Sequence, residues 1–317
     1  MKLFLANFRW FPAFFLLAML TVVGAKQVVA EEYIQEVFLQ LPGAYADPLG
    51  TTYGPTGIGI DFNDNLCVFF SRTLTFYDSA GDTVRQLQLE YGHDFCFDEE
   101  GNIYVSKNNS GEISIRKYNS SGDPLGEMYN YKILPPAPAR EYFSGRYINY
   151  IPGVGLYLHF NWPHILFQFS ASQFPDAFLQ SEVEPGYIFG RDKYLLTDDG
   201  SQDEIDITVH NASGPEEVLH LEGYRCVWAI PIYSLDTDHQ YYSIYSFVEG
   251  EPNELENTLQ KLDGDELLFS TSDFPPNRIE YSLGKKFVVD SRGIIYYYCG
   301  DENEIQIIRW IPANIDH

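Results

Sequence analysis

The sequence predicts an all-β fold, a β-propeller of six four-stranded blades, on three observations. Short runs rich in Tyr, Phe, Val and Ile alternate with Gly, Asn, Asp, Ser and Pro, the punctuation of strands and turns. Long helical periodicity is nearly absent after residue 30. A unit recurs with a shift of 37 residues, close to the ~40–50 of one propeller blade.

The first 30 residues stand apart. Lys2 and Arg9 precede or open an apolar run from Trp10 to Ala25, and residues 1–30 contain no acid. The run has 16 residues and is broken by Pro12, short of the ~20 that span a bilayer. Val28 and Ala30 put small residues at −3 and −1 of a junction before Glu31, and Val23 with Ala25 offers a second junction. This is the pattern of a secretory signal peptide; the alternative is an uncleaved anchor. With it removed, 45 acidic face 17 basic residues, a formal charge of −28 against −25 for the whole chain. Residues 31–317 are then expected to be one propeller domain, secreted or periplasmic.

EEYIQEVFLQL (31–41) comes next, strand-like and outside the repeats. It is expected to pair with the final blade as its outermost strand and so close the ring, which removes an open sheet edge. The alternative is a loose arm. YGPTGIGIDFNDNLCVF (53–69) aligns with GHDFCFDEEGNIYVS (92–106), so that Asp61 matches Asp98, Asp64 Gly101, Asn65 Asn102 and Leu66 Ile103. TLTFYDSAGDTV (73–84) answers ISIRKYNSSGDPL (113–125). Each unit reads strand, Asp-punctuated turn, strand, gap, strand, Gly-Asp turn, strand. Asp, Asn and Gly tolerate the positive φ that tight hairpins need.

KKFVVDSRGIIYYY (285–298) and EIQIIRWIP (304–312) close the chain with a third copy, Asp290 and Gly293 standing where Asp98 and Gly101 stand. Weaker copies lie at 147–172, 187–214 and 227–265. EGEPNELENTLQKL (249–262) has the most helical look and is expected to be an acidic loop. Cys67, Cys96, Cys226 and Cys299 form no CxxC and sit in apolar runs, so buried free thiols are expected rather than disulfides or a zinc knuckle.

GPTGIGIDFNDNLCV (54–68) and FCFDEEGNIYV (95–105) resemble the NHL-repeat family, whose units read P-x-G-I-A-V-D-x-x-G-N-I-Y-V. The resemblance implies a six-bladed propeller and no particular function, since such folds serve as lyases, lactonases and binding modules alike.

The strong acidity argues against nucleic acid, whose phosphates are bound by Lys and Arg, and against stable attachment to anionic lipid. No G-x-S-x-G, S-x-x-K, HExxH or Gly-rich phosphate loop occurs. DFNDN (61–65) alternates oxygen ligands but lacks the turning glycine of a calcium loop and matches the blade hairpin instead. The other acidic runs, among them LDTD (235–238), read as solvated loop charge. His93 and Asp94 sit at the start of an innermost strand, where a side chain faces the channel mouth and would suit a metal or a base; a structural histidine is the plainer reading. Trp162, with Asn161 and Pro163 marking a hairpin tip, is placed to stack on a sugar or an aromatic peptide, and His159 and His164 flank it. The function read from these residues is an exported, non-catalytic binding propeller without cofactor, taking a protein, peptide or glycan on one loop face. The alternative is a lactonase-like hydrolase or lyase using a divalent metal. It requires at least three His, Asp, Glu or Asn side chains from different blades meeting near the axis.

Overall fold

The computed structural model describes residues 31–315, apart from 43–44, 47–51, 54, 71, 110–111, 133–145, 152–154, 162–163, 170–180, 185–186, 190–191, 198–203, 212–213, 223–225, 249–250, 265, 276–284 and 302. From residue 157 to 231 the description is of the backbone alone. The elements are strands throughout.

β1 (Tyr33–Pro42) is followed by a small hairpin of β2 (Tyr45–Ala46) and β3 (Thr52–Tyr53). β4 (Gly57–Ile60), β5 (Leu66–Phe70), β6 (Thr73–Tyr77) and β7 (Thr83–Gln88) form an antiparallel sheet in chain order. β8 (Asp94–Phe97), β9 (Ile103–Asn109), β10 (Glu112–Tyr118) and β11 (Pro124–Lys132) repeat it. So do β12 (Arg146–Ile151), β13 (Gly155–Asn161), β14 (His164–Phe169) and β15 (Ser181–Glu184). β16 (Tyr187–Phe189), β17 (Asp192–Thr197), β18 (Glu204–Asn211) and β19 (Gly214–Glu222) form the next. β20 (Cys226–Pro231) pairs with β22 (Gln240–Val248), which continues to β23 (Glu251–Asp263) and β24 (Glu266–Thr271). Between them β21 (Tyr233–Ser234) runs parallel to β25 (Phe287–Val289), the first strand of a sheet completed by β26 (Ile295–Gly300) and β27 (Glu304–Pro312).

β1 lies antiparallel along β27, with Tyr33 opposite Pro312 and Pro42 opposite Glu304. The first described strand therefore occupies the outer edge of the last sheet. Arg309 bridges the pair, donating from Nε to Glu36 Oε1 at 2.6 Å and from Nη1 to the Ser79 carbonyl at 2.8 Å.

The expectation for residues 249–262 is overturned. Residues 251–263 are strand β23, not an acidic loop. Leu255, Leu259 and Leu262 imitate helical spacing, but a register shift between Lys261 and Leu262 changes the phase of the alternation. Leu259 and Leu262 are consequently both buried although three residues apart.

Alternation explains the core. On β5, Leu66 and Val68 face the last sheet, packing with Val288, Tyr296, Tyr298 and Ile307. Cys67 and Phe69 face the other way, joining Phe95, Phe97, Ile103 and Val105 of the following sheet. A third cluster joins Tyr241 and Leu259 to Val289, Tyr297 and Trp310. Strands buried on both faces lose the polar alternation of a half-exposed sheet, which is why LCVFF and IYYYC read as continuous apolar runs. Gly59 is required here, because a Cβ on it would stand 2.8 Å from the Phe95 ring. Cys67, Cys96 and Cys299 are buried free thiols, as expected; the side chain of Cys226 lies outside the described residues.

The recurrent Asp/Asn has a single cause. In five turns, begun by Asp61, Asp78, Asn119, Asp98 and Asp290, the side-chain oxygen accepts the N–H groups two and four residues on, at 2.8–3.0 Å. The fourth residue adopts positive φ: Asp64, Gly81, Gly122, Gly101 and Gly293. Asp64 is the exception to glycine because its carboxylate is used. It accepts Ser291 N–H at 2.9 Å and Ser291 Oγ–H at 2.6 Å, tying the first turn to its counterpart in the last sheet.

Candidate functional site

The first strands of successive sheets converge. The Ile58 N–H of β4 donates to the Lys285 carbonyl just before β25 at 3.2 Å, and Phe95 of β8 covers Gly59 of β4. Lys285 reaches past the β4–β7 sheet. Its Nζ donates to Asp94 Oδ2 at 2.6 Å, to the Phe95 carbonyl at 2.9 Å and to the Ile148 carbonyl of β12 at 2.9 Å. Asp94 Oδ2 also accepts the Ile148 N–H at 2.8 Å. One ammonium thus joins three sheets with all three of its protons committed. Asp94 is 0 % exposed. Burial raises its carboxyl above the ordinary 3.8, an effect that the Lys285 charge and the Ile148 amide partly offset. Burial likewise pushes the neighbouring Cys96 thiol well above its ordinary value.

His93 sits just outside this pair. Its backbone N–H donates to the Ser106 carbonyl at 2.7 Å, and its half-buried ring stands edge-on to Tyr91 at 5.5 Å between centroids. Tyr91 is 39 % exposed. The register brings the backbone of His159 and His164 to the same end. Ile148 N–H on Asp94 sets the start of β12 beside the start of β8. Arg146 pairs with Phe160, His159 with Tyr147, and Asn161 with His164, so β13 ends and β14 begins at that end. Trp162 and the side chains of His159 and His164 lie outside the described residues.

At the opposite end, Asp236 of the LDTD run is drawn in rather than solvated. Its Oδ2 pairs with His239 Nδ1 at 2.8 Å and accepts the Tyr241 hydroxyl at 2.6 Å, while Oδ1 takes the Asp238 N–H at 3.0 Å. Burial and the Asp236 charge raise the Tyr241 hydroxyl far above its ordinary value, burial being the larger cause. Among the described residues no three His, Cys, Asp or Glu side chains gather as a metal site.

Sequence reasoning found Asp94 and missed its partner. Lys285 is 191 residues away and looks like any lysine at a strand start. Tyr91 carried no signal beyond its type. Asp236 was findable, since Asp-Thr-Asp-His stands where the other units have their Asp-led turn.

No protein-family profile matches the chain, and no curated protein matches it. Among solved structures, a protein of unknown function from Bacteroides caccae is 10 % identical with a TM-score of 0.48, covering 77 % of this chain and 94 % of its own. A luciferin-regenerating enzyme is 13 % identical with a TM-score of 0.47, covering 90 % and 97 %. The β-propeller domain of the Trilobed protease from Pyrococcus furiosus is 14 % identical with a TM-score of 0.43, covering 86 % and 82 %.

Proposed function

We propose that the protein is an exported, non-catalytic β-propeller of six blades, its ring closed by β1 completing the last blade. In this reading the end that carries Tyr91 and His93, where β13 ends and β14 begins, binds a protein, peptide or glycan. One observation carries it: the Lys285–Asp94 pair. Where inner strands bring charged groups together, the carboxylate is fully buried and the ammonium has no proton to spare. Such a pair neutralises itself and fixes the sheets, leaving the loops around it as the variable surface. The acidity of residues 31–317 directs the choice of partner toward neutral or basic ligands rather than nucleic acid.

Binding of the purified protein to glycan and peptide arrays tests this reading, together with metal analysis and lactone hydrolysis in added calcium, manganese or zinc. Saturable binding that falls at least tenfold in Tyr91→Ala with His93→Ala, without stoichiometric metal, is expected. Lactone hydrolysis dependent on one tightly held metal per chain would replace it with the lactonase-like alternative.

A further inference from the structure

The chain is gripped from Glu31 onward. Glu31 N–H donates to the Leu268 carbonyl of β24 at 2.8 Å. Its carboxylate takes Lys261 Nζ of β23 at 2.6 Å, and the Lys261 side chain is only 4 % exposed. The Glu32 carbonyl accepts the Ala313 N–H beyond β27 at 2.8 Å. Tyr33 lays its ring 4.2 Å from that of Phe269 and donates its hydroxyl to the Gly293 carbonyl at 3.3 Å. Three consecutive residues are thus held by two different sheets.

Two junctions satisfy the leader pattern, after Ala25 and after Ala30. We propose that the cut falls between Ala30 and Glu31, which makes Glu31 a built N-terminus and leader removal the step that precedes docking of β1. This rests on the export reading above. The reaction is hydrolysis by a leader peptidase. Water adds its oxygen to the Ala30 carbonyl carbon and the C–N bond breaks. Ala30 leaves as a carboxylate, and the Glu31 nitrogen takes up both of the water's protons to become an ammonium.

The seat suits that product. The Glu31 nitrogen already points at the Leu268 carbonyl, so an ammonium there converts a neutral hydrogen bond into a charge-assisted one. It also adds a positive charge to a strongly acidic chain. A cut after Ala25 leaves an ordinary amide in that place. The grip also sets the order of events. A peptidase needs the residues beside its scissile bond extended in its own cleft. Glu31 to Tyr33 cannot lie there while bonded to Leu268, Lys261, Ala313 and Gly293.

The experiment is expression of the full chain 1–317 in a bacterial host, fractionation, and intact mass with N-terminal sequencing. Exported protein beginning at Glu31 is the expected result. Exported protein beginning at Lys26 overturns the junction and leaves export standing; uncut chain retained in the cytoplasm overturns both. For the order, purified precursor is given to purified leader peptidase either after refolding or immediately on dilution from denaturant. The refolded precursor is expected to be cut at least tenfold more slowly, and equal rates overturn the ordering.

Discussion

Replacing Lys285 by methionine removes the ammonium and keeps most of the side-chain volume. Asp94 is then left fully buried with the Ile148 N–H as its remaining strong donor, and the Phe95 and Ile148 carbonyls lose theirs. Breaking a buried pair from one side costs about 3–5 kcal/mol. The carboxyl has one escape, which is to take a proton. From an ordinary value of 3.8, holding that proton at pH 7 costs roughly 4 kcal/mol at about 1.4 kcal/mol per unit. At pH 4 it costs a few tenths. The penalty of Lys285→Met in urea unfolding should therefore be ~4 kcal/mol at pH 7 and fall by at least half at pH 4. Adding Asp94→Asn, which keeps an acceptor for the Ile148 N–H, should recover most of the loss at pH 7. A penalty below ~1 kcal/mol, or one equal at both pH values, would refute the buried pair as the element that ties these sheets together.

The Asp64 turn makes a second prediction. Asp64→Ala keeps the positive φ and loses both bonds to Ser291, at ~2 kcal/mol; Asp64→Gly relieves the backbone and should lose ~1 kcal/mol less. Urea midpoints of the two variants check the order. Burial, partly offset by Arg292, holds the Asp290 carboxyl above its ordinary 3.8. The folded protein therefore binds that proton more tightly than the unfolded chain. The contribution of Asp290 is full below 3.8 and declines as pH rises through the folded value, so wild type should lose stability relative to Asp290→Asn as pH rises above 3.8 in a series of urea midpoints. Burial pushes Cys299 up to about 11 and Cys67 and Cys96 well above their ordinary value. A thiol reagent should leave all three untouched in the folded protein and label them within minutes in denaturant.

Much of the architecture was legible because its cause is local. An Asp or Asn that accepts the amides two and four residues on, with Gly at the fourth position, is written in five consecutive letters. Asp64 shows where local reading stops, since its place at positive φ is explained by Ser291, 227 residues away. β23 was misread for a related reason. A bulge shifts the phase of its leucines, and no residue type announces a bulge at Lys261. At the site, Asp94 was found by its position in the repeat. Its environment depends on Lys285 and Ile148, which topology supplies and spacing does not.

The pairing of β1 with β27 is open to one direct measurement. Glu36 and Arg309 stand opposite each other, and Cα atoms so opposed lie about 4.5–5.5 Å apart, within reach of a disulfide. Glu36→Cys with Arg309→Cys should oxidise to an intramolecular crosslink in the folded protein. Closing a loop of that size should raise stability by up to about 5 kcal/mol. Thiols that stay reduced under mild oxidant, or that link only between molecules, would contradict a last sheet completed by the first strand.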